Sequence, residues 1–231
     1  MEPDGGSTAS IARAAGLARP TAHRILCVLA DQGLLDRNQR SGRWSLGPEM
    51  YLLGSLAADR YDITDRAGAI LRNLARDTGE SAFLSARRGD ETVCLATEEG
   101  TFPLRSHVLH IGIRFPLGVA SAGLAILAHL PERDVDEYLR RVDLAPTWGP
   151  EHGDTPLRVR LSEVLRDGYS TNPGLIVEGS WGMAAAVFDR RGDPAWALSL
   201  TGVETRFGTE RRRQLGKRLL ADAHTLSQSL R

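Results

Sequence analysis

The sequence is poor in cysteine and has no long apolar run. Only Cys27 and Cys94 occur in 231 residues, without the CxxC or histidine spacing of a zinc site, so neither a disulfide framework nor a zinc site is indicated. The longest apolar runs, such as residues 184–188, are far shorter than the roughly twenty residues of a membrane span. No charged-then-apolar signal segment opens the sequence. These absences predict a cytoplasmic protein with no membrane partner, metal or cofactor.

An excess of one charge sign is also absent. Lysine and arginine together number 29, as do aspartate and glutamate, which argues against a protein that is polycationic throughout. The distribution is uneven, because residues 7–47 contain six arginines and two aspartates, a local excess of four. A modest basic module is therefore expected ahead of a neutral body. Its arginines are Arg13, Arg19, Arg24, Arg37, Arg40 and Arg43.

The basic module begins with two helices joined by a sharp turn. Ser7 or Thr8 can cap the first helix, and Gly16 supplies the left-handed residue that ends it. Pro20 stands where the second helix would have its first residue, the position at which a missing N–H costs nothing. The spacing of four apolar residues predicts the buried face of this second helix. They are Ala22, Ile25, Leu26 and Leu29.

Two short strands around a turn at residues 39–42 follow these helices, so the module reads as a winged helix-turn-helix. Polar and basic side chains at the start of the second helix suit contacts with base edges and phosphates, and arginines on the hairpin suit the phosphate backbone. The alternative is a solvated face with surface arginines. A catalytic pair of Thr21 and His23 is rejected, because residues two apart on a helix diverge. The DNA-binding candidates are Arg19, Pro20, Thr21, His23, Arg24, Arg37, Arg40 and Arg43.

The remaining chain predicts an α+β body, an antiparallel sheet with helices packed on it. A hairpin is expected around residues 88–90, a third strand within 103–113, and a loop at 146–155. Two late strands are expected around a turn at 191–194, followed by a long helix to about residue 230. No serine-hydrolase motif is present, because the glycines around Ser121 and Ser180 are misplaced for a nucleophile elbow.

The body offers a candidate pocket. Small residues around Ser121 begin a helix, where free N–H groups favour an anion, and the hydroxyls of Ser199 and Thr201 face the same side of a strand. Two hydroxyls and a helix N-terminus suit a small carboxylate; tight helix packing with two surface hydroxyls is the alternative. His107 and His110 form a conceivable metal pair, but an exposed pair is the simpler interpretation, and no metal site is assigned.

Six motifs in order resemble the IclR family of bacterial transcription regulators. They are SIARAAGLARPTAHRILCVLADQGLL, GRWSLG, IGIRFPLGVASAGLAILA, GYS, AAAVFD and ALSLTG. The resemblance covers nearly the whole chain. It implies a winged helix-turn-helix over residues 1–47, a linker helix over 48–62 and a GAF-like effector-binding domain over 63–231. It also implies homodimers, or dimers of dimers, on palindromic double-stranded operator DNA, with a small organic or aromatic acid as effector.

Individual residues carry over from the family motifs. The family's Ser-Thr-x-His-Arg run appears here with Pro20 in place of serine and with Thr21, His23 and Arg24 in register. The family's effector pocket lies between the helix after the Pro-Leu-His motif and the late strands. It carries over to Leu117, Ala120, Ser121, Asn172, Gly182, Ser199 and Thr201.

The sequence also departs from the family pattern. Only MEPDGG precedes the first helix described above, where the family has a further helix; either the true start codon lies upstream or the DNA-binding domain is incomplete and less stable. Gly118 replaces a usual histidine, Leu124 a lysine, Asn172 an acidic residue and Gly182 a frequent cysteine. These changes, with Trp181 as an apolar wall, imply a different ligand that is either larger or less polar.

The leading hypothesis is a transcription regulator without enzymatic activity, whose operator affinity changes when an effector binds. A stand-alone small-molecule binding module with a degenerate DNA-binding domain is the alternative. An enzyme on the GAF-like body is a third hypothesis, disfavoured because no nucleophile, metal cluster or suitably spaced acid pair was found.

Overall fold

The computed structural model describes residues 5–58, 63–104 and 108–230. The chain divides into two compact units, residues 1–62 and 63–231. The end of the predicted linker, residues 59–62, and His107 of the histidine pair lie outside the described residues. Of the helices that the described residues form, none combines the length and the apolar composition that a bilayer crossing requires.

The first unit contains the predicted helix-turn-helix and wing. The side chain of Ser7 caps its first helix by accepting a hydrogen bond from the N–H of Ser10 at 3.1 Å. Gly16 has φ of 64° after the end of that helix, as the sequence predicts. The second helix begins at Arg19, so Pro20 is its second residue. The elements are α1 (Thr8–Ala14), α2 (Arg19–Asp31), β1 (Leu35–Arg37), β2 (Trp44–Leu46) and α3 (Pro48–Ala58).

Trp44 is the centre of the small core in this unit. Its side chain is 2% exposed, and Ala22 and Leu26 of α2 are buried as well. The prediction that Ile25 faces the core was wrong: it is 43% exposed, like its neighbour Val28 at 57%. Only Ala22 and Leu26, four residues apart, are buried on α2, so its packed face is narrower than the apolar stripe of the sequence suggests.

The second unit is the predicted α+β body, with one antiparallel sheet in the order β5-β4-β3-β8-β7-β6. Its chain order begins with α4 and ends with α9, and short 3-10 turns lie at Pro150–His152 and Glu204–Arg206. The strands are β3 (Ser81–Arg88), β4 (Glu91–Glu98), β5 (Arg114–Pro116), β6 (Ser170–Pro173), β7 (Ser180–Phe188) and β8 (Pro194–Val203). The helices are α4 (Ile63–Thr78), α5 (Ser121–Ala128), α6 (Glu132–Arg141), α7 (Ala145–Trp148), α8 (Asp154–Asp167) and α9 (Thr209–Ser229).

Both faces of this sheet are buried. Alternate residues of β7 point in opposite directions, so Met183 and Val187 pack with α4 and α9 while Ala184 and Ala186 pack with α5 and α8. Because neither face meets water, β7 and β8 read as nearly continuous apolar runs. Helix α5 is buried along its whole length, which explains its lack of charged residues.

Two sequence expectations for this unit were wrong, and one strand was not predicted. The third strand is β5, Arg114–Pro116, and the described part of the predicted segment, residues 103–104 and 108–113, forms no strand. The loop at residues 146–155 contains most of α7 and a 3-10 turn. Strand β6 was not predicted, because its sequence STNP has no apolar alternation and includes Asn and Pro, which are depleted in strands.

Candidate functional site

The start of α2 presents exposed basic side chains. Arg19, Pro20 and Arg24 are exposed there, whereas Thr21 is half-buried. His23 is also half-buried: its ring packs edge-on against Trp44 with the centroids 6.0 Å apart, and its Nδ1 lies 3.6 Å from Sγ of Cys27. The outward guanidinium groups are therefore available for a polyanion, while His23 is partly engaged in packing.

The wing is shaped by Asn38. Its Oδ1 accepts hydrogen bonds from the N–H groups of Arg40 at 2.9 Å and Ser41 at 3.0 Å, an Asx turn that fixes the tip of the hairpin. Arg40 is exposed at this tip, and the exposed Arg37 lies 5.3 Å above the ring of Trp44. Two exposed arginines thus lie on the hairpin, one at its tip.

Arg43 has a structural role that the sequence did not indicate. Its Nε and Nη2 donate to the carbonyl of Gly5 at 3.1 and 2.7 Å. The same chain segment is bound to β2, because Gly6 and Trp44 exchange backbone hydrogen bonds of 2.9 and 2.8 Å. Arg43 therefore attaches the start of the described chain to the wing, and a contact with DNA would have to compete with this hydrogen bonding.

The second unit contains a cavity of about 310 Å³, including its open mouth, where the start of α5 meets β6, β7 and β8. No charged side chain lines it among the described residues. Its lining consists of Val108, Leu109, Ala120, Ser121, Asn172, Ile176, Ser180, Trp181, Gly182 and Thr201.

Two hydroxyls on β8 have no partner in the described part of the chain. Oγ of Ser199 and Oγ1 of Thr201 are buried without a hydrogen bond, and the two residues are 0% and 6% exposed. The alternative of two surface hydroxyls is therefore wrong. Thr201 lines the cavity and pairs across the sheet with Gly182. Because a buried hydroxyl without a hydrogen bond is costly, these groups indicate a place for a polar ligand.

Gly182 leaves the start of α5 accessible from the cavity. A Cβ at this position would lie 2.9 Å from Oγ of Ser121, so a side chain here would crowd that hydroxyl. Ala120 caps α5 without a side-chain hydrogen bond, which leaves the first N–H groups of the helix without a side-chain acceptor. The absence of a side chain at Gly182 therefore exposes a hydroxyl and a helix N-terminus together.

Asn172 shapes the wall of the cavity. Its Nδ2 donates to the carbonyl of Val119 at 2.8 Å, and its Oδ1 accepts from the N–H of Leu175 at 3.0 Å. Ser170, two residues earlier, donates from Oγ to the carbonyl of Ser121 at 2.7 Å. Strand β6 is thus bound by side-chain hydrogen bonds to the turn before α5 and to its first residue.

Leu117 does not join the other candidates. It lines a separate cavity together with Leu130, Tyr138 and several charged residues. Its carbonyl accepts a hydrogen bond of 2.7 Å from the hydroxyl of Tyr138, and burial raises the pKa of that phenol well above its ordinary value. Of the seven predicted effector residues, Ala120, Ser121, Asn172, Gly182 and Thr201 line the cavity, and Ser199 is buried two residues before Thr201 on β8.

Sequence reasoning missed four lining residues, Val108, Leu109, Ile176 and Ser180. Val108, Leu109 and Ile176 lie in loops and Ser180 begins β7. Because long-range packing brings them to the cavity, no local sequence pattern identifies them. Trp181 was proposed as an apolar wall and does line the cavity. Its ring also stacks on Phe207 at 6.2 Å, with the Arg212 guanidinium 4.9 Å from its centroid.

Catalytic chemistry finds no support in these sites. Within the described ranges, no three His, Cys, Asp or Glu residues are grouped so that they could hold a metal ion. The hydroxyls at the cavity have no histidine or carboxylate among its lining residues that would activate them. A helix-turn-helix with an exposed basic rim, together with an α+β unit containing a partly open cavity, defines the class of ligand-responsive transcription regulators.

Comparison with known proteins identifies the family within this class. The family model described as bacterial transcriptional regulator IclR C-terminal matches residues 55–228, and the IclR helix-turn-helix domain matches residues 2–39. The chain belongs to the IclR family. It is a DNA-binding transcription regulator with a carboxyl-terminal effector domain, and it is not an enzyme.

Relatives and a solved structure agree with this assignment. The chain is 28% identical to the transcriptional repressor IclR of Escherichia coli over 92% of this chain and 78% of the relative. It is 30% identical to the glycerol operon regulatory protein of Streptomyces coelicolor over 87% and 78%. An IclR homologue from Microbacterium hydrocarbonoxydans, solved with 4-hydroxybenzoate, has the same fold, with a TM-score of 0.77 at 24% identity and coverage of 97% and 92%.

Proposed function

We propose that α2 and the wing bind operator DNA, and that a small monocarboxylic acid modulates this binding. The acid would bind in the cavity where the start of α5 meets β6, β7 and β8, here called the β8 cavity. The observation that carries the proposal is the buried hydroxyl of Thr201, which has no partner in the described part of the chain and lines the cavity at the start of α5. A ligand that binds one conformation of the regulator better than another shifts its operator affinity by that difference.

The DNA part of the proposal rests on exposure and charge. Arg19, Arg24, Arg37 and Arg40 are exposed on α2 and the wing. Arg24, in the second turn of α2, is the strongest candidate for a base contact, because residues near the start of a recognition helix reach base edges in the major groove. Arg37 and Arg40 suit the phosphates, which give the salt-dependent part of the affinity.

Replacing Arg24 with alanine tests the DNA contact. If Arg24 reads a base, the change weakens specific binding by about 1 to 3 kcal/mol. Fluorescence anisotropy with DNA flanking the protein's own gene, and with unrelated DNA, measures both affinities at several salt concentrations. Arg13→Ala, which removes an exposed arginine of α1, is the matched control. An unchanged affinity of Arg24→Ala would show that Arg24 does not contact the DNA. If the unmodified chain forms no sequence-preferring complex, the alternative of a stand-alone binding module is favoured.

The ligand class follows from the lining of the cavity. The start of α5 and the hydroxyls of Ser121 and Thr201 suit one carboxylate. No cationic side chain among the described lining residues would neutralise a second carboxylate. Val108, Ile176 and Trp181 provide an apolar wall for the body of the ligand. The 4-hydroxybenzoate bound by the Microbacterium homologue is a compound of this kind and a suitable first probe.

Thr201→Val tests the ligand contact. The substitution removes a hydroxyl without a protein partner, so the unliganded protein should be as stable as before, or more so. Affinity for a bound monocarboxylate should fall about 12- to 160-fold, the equivalent of one hydrogen bond to a charged group. A thermal-shift screen of monocarboxylates, beginning with 4-hydroxybenzoate, identifies ligands, and calorimetry then measures their affinity. Thr155→Val, at an exposed site, is the control. Equal affinities of the Thr201 variant and the unmodified chain for every ligand found would contradict the proposal.

We also propose that the regulator acts as a homodimer, or a dimer of dimers, on palindromic operators in the cytoplasm. Helix α3 supports a partner of the same kind, because Tyr51 and Leu56 are 78% and 74% exposed and Met50, Leu52 and Leu53 are exposed as well. A second copy would bring two α2 helices to two half-sites one helical turn apart. Light scattering with and without operator DNA measures the state of assembly.

A further inference from the structure

Arg160 of α8 is half-buried and has an unused side of its guanidinium group. Its Nε and Nη2 are enclosed and have no hydrogen-bond partner in the described structure. Its third nitrogen, Nη1, makes only a long contact of 3.5 Å with the carbonyl of Glu151. A buried donor without an acceptor costs free energy, and more so when it carries charge.

The two unused nitrogens form the edge of the guanidinium whose N–H bonds run parallel. This edge binds the two oxygens of a carboxylate or phosphate at once. The same helix provides an example, because Nε and Nη2 of Arg166 donate to the two carboxylate oxygens of Asp167 at 2.8 and 3.0 Å. Arg160 therefore has the donor pair of a bidentate oxyanion site without an oxyanion from the described chain.

The charge of Arg160 has no close counter-charge either. Burial lowers the pKa of its guanidinium to about 10, so it remains protonated at neutral pH, and the acids that act on it, Glu151 and Glu163, are exposed. Neither acid accepts a hydrogen bond from the buried edge. Ordered water would supply acceptors for the N–H groups but would not balance the charge, whereas an anion does both.

His152 is a buried neighbour of Arg160, and an imidazole cannot supply the negative counter-charge that Arg160 lacks. It is 1% exposed, its Nδ1 donates to the carbonyl of Trp148 at 2.8 Å, and its Nε2 has no partner in the part of the chain described. Burial, and then the positive charge of Arg160, lower the pKa of its imidazole. The ring is thus neutral, and because Nδ1 carries the proton that it donates to Trp148, Nε2 is an acceptor and contributes nothing to anion binding.

We propose that the Nε–Nη2 edge of Arg160 binds a small oxyanion, either a carboxylate or a phosphate group. Arg160 does not line the β8 cavity, so this site is separate from the proposed effector site. It lies close to the wall of that cavity, because the Val119 carbonyl acts on His152 and also accepts the Asn172 hydrogen bond. An oxyanion at Arg160 would stabilise α8 and the turn before α5 together.

The test compares the melting temperature of the full chain in sodium phosphate and in sodium acetate, with ionic strength kept constant by sodium chloride. Chloride is a single atom, so it cannot place one acceptor opposite each N–H group as a carboxylate or phosphate does, and its binding should be weaker. We expect a saturable rise with at least one oxyanion, and a clearly smaller rise for Arg160→Met, which keeps an apolar stem. In chloride alone Arg160→Met should melt at the same temperature or higher. Arg166→Met on the exposed side of α8 is the control and should respond as the unmodified chain does.

The outcomes separate the possible ligands. A response to acetate alone identifies a carboxylate, a response to phosphate alone a phosphate group, and a response to both a general oxyanion site. An Arg160→Met response equal to that of the unmodified chain, or no saturable response to either anion, overturns the proposal. Because Arg160→Met could also disturb folding, the Nε–H resonance of Arg160 is followed in the unmodified chain, assigned by its loss in Arg160→Lys. That resonance must move during the titration; a resonance that stays fixed overturns the proposal as well.

Discussion

Replacement of Trp44 by alanine should abolish operator binding while the second unit stays folded. Removing a buried tryptophan costs about 3 to 5 kcal/mol, and a unit of 62 residues has little stability to lose, because small domains bury a smaller fraction of their surface. The expected loss is therefore comparable to the whole free energy of unfolding of this unit.

Trp44 has this effect because it contacts each part of the small unit. Its Nε1 donates to Oγ1 of Thr8 on α1 at 2.9 Å, and His23 of α2 packs against its ring. Its backbone pairs with Gly6, and Arg37 of the wing lies above the indole. Loss of the ring removes contacts to α1, α2 and the wing at once, and with them the placement of Arg24.

The remaining tryptophans make the experiment specific. Trp148, Trp181 and Trp196 all lie in the second unit, so fluorescence of the Trp44→Ala protein reports on that unit alone, while circular dichroism records lost helix. Trp44→Phe, which keeps a ring but not the hydrogen bond to Thr8, should retain weakened operator binding. Full operator affinity in Trp44→Ala would show that the small unit does not depend on this core.

The sequence predicted most of the helices and strands because their signals are local. Gly16 and Pro20 mark the turn between α1 and α2 by backbone preference alone, and the alternation in β3 and β4 survives in the structure as a hairpin. Strand β6 could not be predicted, because it forms through pairing with β7 and through the side-chain hydrogen bonds of Ser170 and Asn172. Those contacts join residues far apart in the chain.

The candidate site was predictable to a similar degree. Alternation placed Ser199 and Thr201 on one side of a strand, and the structure confirms that both hydroxyls are buried. Leu117 came only from a family motif, and here its backbone bonds Tyr138 at a different cavity. Arg43 was read as a phosphate contact from its charge, yet the acceptor of its hydrogen bonds, the Gly5 carbonyl, lies 38 positions away in the sequence. Charge and periodicity show which side chains are available, but not which acceptor they meet.

Glu80 is the group whose removal should most destabilise the second unit. Its side chain is 1% exposed and accepts hydrogen bonds from Nε of Arg206 at 2.6 Å and Nη2 of Arg211 at 3.0 Å. Both arginines also donate to the carbonyl of Thr78, at 3.1 and 2.6 Å, and Arg206 lies 4.0 Å from the centroid of Phe102. The cluster joins the end of α4 and the start of β3 to the segment that leads into α9.

Removing the carboxylate leaves two guanidinium groups facing each other without their shared counter-charge. Glu80→Ala should lower the free energy of unfolding by about 3 kcal/mol, the lower end of the range for breaking a buried ion pair, because the side chain of Arg211 is 37% exposed and can turn toward water. Glu80→Gln keeps an acceptor at Oε1 and should lose less. The Glu80 carboxylate lies against the backbone of Gly202, the residue after Thr201 of the cavity. Because Glu80→Ala removes this contact, ligand affinity at the cavity should fall together with stability.

Urea denaturation followed by circular dichroism measures this effect as a lower midpoint at an unchanged slope. Asp77→Asn is the matched control, because Asp77 also pairs with two arginines, Arg76 at 2.9 Å and Arg218 at 3.2 Å, but is exposed to water. The neighbouring arginines hold the pKa of the Asp77 carboxyl below its ordinary value, yet solvent screening makes such pairs weak, so little change is expected. If Glu80→Ala and Asp77→Asn shifted the midpoint equally, burial would not be what makes the Glu80 cluster important, and the junction between α4, β3 and α9 would depend on its apolar contacts alone.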